Sequence, residues 1–438
     1  MVWMTAAEAL HVLNVLPQTL YANVSRGKIR AKSDEADPRR SLYHRDDILR
    51  MAARSNGRRK IEAVSAQAMQ WGDPVLPSAI STAADGRLLY RGLDAVVLAD
   101  TATLEDIADL LWEAEPGQAL DAVTAAGTAA MAMAAVPPAG ARSAGTKSAP
   151  AAKAAANLVA GATAIRTAAA STSDHAAAAF ASAGALGAGL LALALRSASD
   201  APSLCRPAAE LRVEATGILA TLTQAMIGPE PSNQAAPATI SARLARAWQR
   251  PAAEDLLRRA LVLMADHELN ASTFATRVAV STGASLAAGV LAGFTTLTGP
   301  LHGGASAEFA QLIAAARLHG ADQAVANWLQ SGRPLPAFGH KLYAEGDPRA
   351  RALLKLLPEL QPHAALAAAA EAQAGELPNI DFALTALAAA HELPDDAPFI
   401  LFALGRCVGW LAHALEQVQA QRPIRPRARY VGPIAGTC

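Results

Sequence analysis

Cysteine is scarce in this chain. Cys205, Cys407 and Cys438 are the three present in 438 residues, and no two stand in C-x-x-C spacing. A disulfide framework is thereby excluded, and a reducing, cytoplasmic setting fits. Aromatic side chains make up only 4%, while apolar residues reach 52%, carried mostly by alanine and leucine. That balance favours closely packed helices over sheets. Charged residues make up 17% and the net charge is zero, so the whole chain is neither disordered nor a general polyanion binder. No G-x-x-x-x-G-K-[ST] loop and no G-x-S-x-G elbow occurs. Gly187 to Ala192 fits G-x-G-x-x-A by letter, but an Ala-rich helical pattern surrounds it and no strand precedes it. The first residues lack a cationic stretch followed by an apolar run, so no signal peptide is expected. Two charge-free stretches, 176–195 and 278–301, are long enough for a bilayer. Both are rich in Ala, Gly, Ser or Thr, so they read as buried core helices and no membrane partner is expected.

The charge that is present is unevenly placed. Residues 1–60 hold twelve Lys and Arg against six Asp and Glu. A basic head on an ordinary body points to a nucleic-acid-facing segment. Within it, Thr5 is placed to cap a first helix, and Pro17 opens a second that Gly27 ends. A basic stretch then leads through an acidic turn to Arg39-Arg40-Ser41-Leu42-Tyr43, and Asp46-Asp47 starts a third helix. Residues 55–60 form a polar, basic linker. Beyond it, Asp85-Gly86 signals a hairpin turn, and Thr103-Leu104-Glu105-Asp106 is a capping box. Residues 119–200 are Ala-rich and offer no site. Two long helical patterns span 251–298. The rest alternates helices with Gly and Pro turns.

Four short motifs carry chemistry. They are Asp266-His267-Glu268-Leu269-Asn270-Ala271-Ser272, Gly299-Pro300-Leu301-His302-Gly303-Gly304-Ala305, Phe338-Gly339-His340-Lys341-Leu342-Tyr343 with Asp347-Pro348-Arg349, and Pro378-Asn379-Ile380-Asp381-Phe382. Each sets a His or Asp beside Gly, Pro or Asn, where the backbone turns sharply. Taken alone, His267 reads as a core histidine on an apolar helix, whereas His302 before two glycines is better placed for a ligand. The spacing of His267, His302 and His340 matches no compact zinc signature, so no metal is expected. Three histidines, one carboxylate and nearby arginines can bind a di-acid, take a weakly acidic proton and return one. Asp347-Pro348 reads as an N-cap with proline at the first helical position, which would fix Arg349.

With Leu89-Tyr90-Arg91-Gly92, Arg406 to His413 and Arg425-Pro426-Arg427, these motifs in this order resemble the citrate synthase family over roughly 61–435. The resemblance implies a mainly α, two-domain helical fold over 61–438, with a small mobile subdomain from about 302 to 388. It implies a homodimer and no tightly bound cofactor, with acetyl-CoA and oxaloacetate as substrates. By motif, Asp381 is the base, His302 the donor to the enolate oxygen, and His340 the group that activates the keto carbonyl. His267, Asn270, Arg349 and Arg406 hold the keto-diacid, with Arg425 entering from the partner subunit. Family members often carry a basic residue for coenzyme A near Ala344; here either Lys341 takes its place or coenzyme A is held more weakly. Residues 1–56 are similar to the winged helix-turn-helix heads of MerR-like and excisionase-like proteins. That similarity implies DNA contacts from Thr19, Tyr21, Arg26, Lys28 and Arg30. Condensation of acetyl-CoA with oxaloacetate to citrate is the leading expectation. The alternatives are the same chemistry on propionyl-CoA, giving 2-methylcitrate, and a DNA-binding regulator that senses a metabolite with this fold.

Overall fold

The computed structural model describes residues 3–13, 17–25, 28–34, 37, 40–45, 47–48, 76–119, 184–229, 239–343, 345–428, 430 and 432. Arg26, Ala344, the end of the basic head with its linker, and most of the Ala-rich segment lie outside them. The chain divides into two compact units, Met1–Pro77 and Ser78–Cys438.

In the first unit, helices Ala6–Leu13 and Pro17–Ser25 pack with three short strands. Ser41–His44 is the central strand, antiparallel to Trp3–Thr5 on one side and Ala31–Ser33 on the other. Thr5 and Glu8 form a reciprocal cap: the Thr5 N–H donates to Glu8 Oε2 at 2.8 Å, and the Glu8 N–H donates to Thr5 Oγ1 at 3.4 Å. Ala9, Leu13, Leu20, Ile29, Tyr43 and Ile48 make a small core. Tyr21 is 54% exposed, and Thr19 and Lys28 are exposed as well. Arg30 differs from expectation. Its Nε and Nη2 donate to the two oxygens of buried Asp47 at 2.8 and 3.1 Å, so this guanidinium holds the unit together.

The second unit opens with the expected hairpin, Ser81–Ala84 against Arg87–Tyr90. Its turn residues Asp85 and Gly86 have φ of 51° and 70°, the two positive values a tight type I′ turn demands. Thr103 and Asp106 form the expected capping box on helix Leu104–Trp112. The remainder is helical. Where the sequence pattern reads as two long helices over 251–298, the structure has three: Glu254–Met264, Ala271–Val280 and Leu286–Leu297, after a single 3-10 turn at Pro251–Ala253. The charge-free stretch 278–301 is accordingly broken by a turn at Gly283, whose φ is 86°. Among the described residues one helix, Ala397–Ala420, is long and apolar enough to cross a membrane, and 94% of its apolar window is buried inside the protein.

That long helix is the axis of the main core, which gathers residues from Ile80 to Leu415. Small residues make the close crossings possible. A Cβ on Gly409 would overlap the Ala265 carbonyl and the Asp266 carboxylate, and one on Gly405 would meet Met264. A second core lies among Phe309, Leu312, Val325, Phe338, Leu366 and Phe382. Helix Ile380–Ala390 serves both. Phe382 and Ala386 enter the second core, while Ile380, Ala383, Leu384 and Leu387 enter the first.

Candidate active site

The three histidine motifs and the Asp381 motif converge where these cores meet. Helix Glu254–Met264 ends at Ala265, and the chain turns through Asp266-His267-Glu268, with Glu268 at φ 52°. The hairpin secures this turn. Glu268 Oε1 accepts from the Ala83 N–H at 2.6 Å and from Thr82 Oγ1 at 3.1 Å, and the Glu268 N–H donates to Ser81 Oγ at 2.9 Å. Ser81 Oγ also donates to Asp266 Oδ2, which His413 Nε2 meets at 3.2 Å. The Tyr90 hydroxyl, fully buried, donates to the Val262 carbonyl at 2.9 Å. Asn270 then caps helix Ala271–Val280: its Oδ1 accepts from the Thr273 N–H, and its Nδ2 donates to the His267 carbonyl, each at 3.2 Å. Asn270 thus has a structural duty beside the ligand contact expected of it.

The second contact zips two distant motifs. Phe338 and Pro378 form an antiparallel bridge, the Gly339 N–H donates to the Leu377 carbonyl at 2.8 Å, and the Asn379 N–H donates to Ala337 at 3.0 Å. Asn379 Nδ2 adds bonds to the Phe338 and Gly339 carbonyls, and its Oδ1 caps Asp381 at 3.0 Å. Gly339 sits at φ 68°, a conformation that residues with a Cβ rarely adopt, and a Cβ there would also push the Glu376 side chain aside. This pairing brings His340 and Asp381 into one site. Arg349 follows as expected: Asp347 caps helix Pro348–Leu354 and grips Arg349 through Nε at 3.0 Å and Nη2 at 2.8 Å. The same carboxylate accepts from the Ile380 N–H at 3.1 Å, tying Arg349 to the turn that carries Asp381.

Arg406 projects from the long helix and is buried; its Nε donates to the Met264 carbonyl at 3.0 Å, and its guanidinium lies 5.0 Å from the centre of the Phe402 ring. His302 stands edge-on to the same Phe402 ring at 6.0 Å and reaches Ser272 Oγ with Nε2 at 2.8 Å. Ser272 also receives the Trp410 indole N–H at 3.0 Å and lies 2.7 Å from Asn270 Oδ1, so its one proton has two acceptors in reach, Asn270 Oδ1 and His302 Nε2.

One reading of the His302 loop is corrected. A Cβ on Gly303 would strike the Leu297 side chain and carbonyl, and one on Gly304 would press on Gly299 and Pro300. The glycines therefore allow a tight fold of the chain on itself rather than the approach of a ligand. Helix Ala305–His319 starts after Gly304, so His302 precedes it, and burial with the Arg406 charge lowers the imidazole to about 4.

The field is shared across the cluster. Burial, then Arg349, holds His340 near 4; burial, then Arg349, His340 and Arg406, keeps His267 well below its ordinary value. All three rings are neutral near pH 7. Leu342 N–H donates to His340 Nδ1 at 3.2 Å, which leaves the ring proton on Nε2. Asp381 is pushed up to about 6 by burial, with Arg349 and Arg406 opposing and Asp347 assisting. Two buried arginines, three neutral imidazoles and one raised carboxyl are the complement for a di-anion that must exchange a proton.

A family model described as "Citrate synthase, C-terminal domain" matches residues 68–427. The chain belongs to the citrate synthase family. It is 34% identical over 194 residues to citrate synthase 2 of Bacillus subtilis, covering 42% of this chain and 52% of that protein. With the citrate synthase of Saccharolobus solfataricus it shares 38% over 229 residues, 47% of this chain and 59% of the other. These alignments thus span little more than half the length of the curated relatives. The fold matches a Thermoplasma acidophilum citrate synthase, solved as a ternary complex with carboxymethyl coenzyme A and oxaloacetate, at TM-score 0.61 and 24% identity over 83% of this chain and 96% of that one.

Of the expected site residues, His267, His302, His340, Arg349, Asp381 and Arg406 are brought together by contact or shared field. Lys341 is exposed on the turn after His340, and Arg425 is exposed in the extended segment that follows the long helix. Sequence reasoning missed Tyr343, Ser272 and Trp410. Tyr343 alone had a signal, three residues after a histidine in a Gly-containing turn.

Proposed function

We propose that this citrate synthase-family chain condenses acetyl-CoA with oxaloacetate to give citrate and CoA. The observation that carries the reading is the single cluster in which Arg349 and Arg406 act on Asp381 and on neutral imidazoles at once. Ionised Asp381 removes a methyl proton from the thioester. His302 donates to the enolate oxygen through Nδ1–H, a tautomer available when Ser272 turns its proton to Nε2. The new carbon–carbon bond joins that methyl carbon to the keto carbon, and the alkoxide takes its proton through His340 Nε2–H. Water then cleaves the thioester and releases the CoA thiol. His267, Arg349 and Arg406 hold the two carboxylates, the partner subunit's Arg425 adds a third cation, and Lys341 offers charge to coenzyme A. The lobe around the second core closes over the cleft to exclude water. A thiol-release assay with oxaloacetate and either acetyl-CoA or propionyl-CoA tests this. Faster turnover of acetyl-CoA is expected; preference for propionyl-CoA would reassign the substrate, and release of neither thiol would refute the reading.

We read the first unit as a winged helix-turn-helix that binds DNA from a dimer. The supporting observation is the excess of Lys and Arg in residues 1–60, with Thr19, Tyr21 and Lys28 exposed on or beside helix Pro17–Ser25. Arg26 adds charge, whereas Arg30 is engaged by Asp47. Gel shift on duplex DNA at two salt concentrations is the test. Binding that weakens steeply with salt is expected, and no binding at low salt would refute it.

A further inference from the structure

Tyr343 sets a phenol between two of the clustered imidazoles, and the roles proposed above leave it without work. It is 3% exposed. Its hydroxyl lies 3.0 Å from His267 Nε2, its only hydrogen-bond partner among the described residues. Its ring is tilted 36° against His340 with centroids 4.7 Å apart, and it stands edge-on to His267 at 5.6 Å. The two imidazoles are themselves 4.9 Å apart. A tight turn sets this up: the Tyr343 N–H donates to the His340 carbonyl at 3.0 Å, so the chain doubles back and lays the phenol beneath the histidine. One side chain therefore touches both rings, although 76 residues separate it from His267.

We propose that Tyr343 is a positioning residue for the keto-diacid: its hydroxyl fixes the plane of His267, and its ring braces His340. The inference rests on reading the cleft as a keto-diacid site. A buried phenol that lost its partner would be penalised, so the hydroxyl and Nε2 hold each other wherever the 339–347 loop is seated. Seating that loop also delivers Arg349, which links the imidazoles to the charge that binds the di-acid. Turn, ring and hydroxyl thus set the distance between the two histidines before any substrate arrives.

Tyr343→Phe tests the hydroxyl while keeping the ring. Loss of one hydrogen bond should weaken oxaloacetate binding about threefold to tenfold by calorimetry. The KM for acetyl-CoA and the melting temperature should stay near wild type, a split that loss of packing would not give. In ligand-free protein labelled with 15N-histidine, the His267 Nε2 signal should move. In a His267→Asn background the same substitution should have no further effect on oxaloacetate affinity. Wild-type oxaloacetate affinity with an unmoved His267 signal would overturn the proposal, as would additive effects in the double variant. If the wild-type protein itself fails to bind oxaloacetate, the keto-diacid reading falls. The nitrogen signal then still decides whether Tyr343 governs His267.

Discussion

Asp381 is where the electrostatics give the sharpest number. Its carboxyl is raised from 3.8 to about 6 by burial against the opposing pull of Arg349 and Arg406. With that value about nine-tenths of the enzyme carries the ionised base at pH 7 and about one-tenth at pH 5. The acid limb of kcat/KM, which reports the free enzyme, should therefore fall about tenfold per pH unit below about 6. His302 and His340, near 4, stay neutral over that window and cannot supply the limb. Asp381→Asn keeps the shape and the Asn379 cap but cannot accept a proton, so the rate should drop at least about a hundredfold. Stability should move the other way. An acid whose folded-state value exceeds its unfolded one binds its proton more tightly in the native state, so stability declines as pH rises from about 4 to about 6. At pH 7 the ionised base then costs the fold up to about 3 kcal/mol, which the neutral amide would recover. Rate against pH and denaturant unfolding of the two proteins read both effects. A limb centred near 4, or an Asn variant that is active or less stable than wild type, would refute the reasoning.

The two buried arginines should separate under substitution. Arg406→Leu and Arg349→Leu should each weaken oxaloacetate binding by roughly 1.5–3 kcal/mol in calorimetry. Arg406 is pulled down to about 10 by burial, so it sits less favourably than Arg349, and its removal should lower the melting temperature less. Arg349→Leu strands the Asp347 carboxylate, which is fully enclosed, and should cost about 3–5 kcal/mol of stability; equal stability of the two variants would contradict this assignment. Gly339→Ala puts a Cβ at a positive φ, with Glu376 having to swing away, and should strain the bridge to Pro378. Loss of condensation with a lowered melting temperature is expected, and a fully active variant would show that the bridge does not position His340.

What the sequence made legible was local chemistry. Asp85-Gly86, the Thr103 capping box and the Asp347-Pro348 start all act within a few residues, and each stands as its letters require. The motifs that carry His302, His340 and Asp381 were legible as turns, whereas His267 read as part of a helix. Their convergence was not legible, because it depends on the Phe338–Pro378 bridge and on the hairpin that pins Glu268. The misreadings share that cause. Gly303 looked like room for a ligand because the Leu297 contact that demands it is invisible along the chain. The break at 265–270 was hidden because a positive φ at Glu268 is stabilised by Ser81, Thr82 and Ala83, far upstream. The pairing of Arg30 with Asp47 was hidden in the same way, seventeen residues apart in the chain.

The placement of Asp381 follows from the division of one helix between two cores. Ile380, Ala383, Leu384 and Leu387 anchor helix Ile380–Ala390 in the main core, and Phe382 and Ala386 anchor it in the second. Asp381 lies between these faces, on the first turn, where the Asn379 cap holds its own N–H and the Asp347 carboxylate holds the N–H of Ile380 just before it. Neither core can shift without moving the turn that carries this carboxyl. Interiors respond to such displacement by repacking between discrete arrangements rather than by stretching. Arg349, held by the same Asp347, must travel with the turn. Asp347 therefore ties the base and the arginine that opposes its protonation into one geometry, so that displacing either disturbs the other.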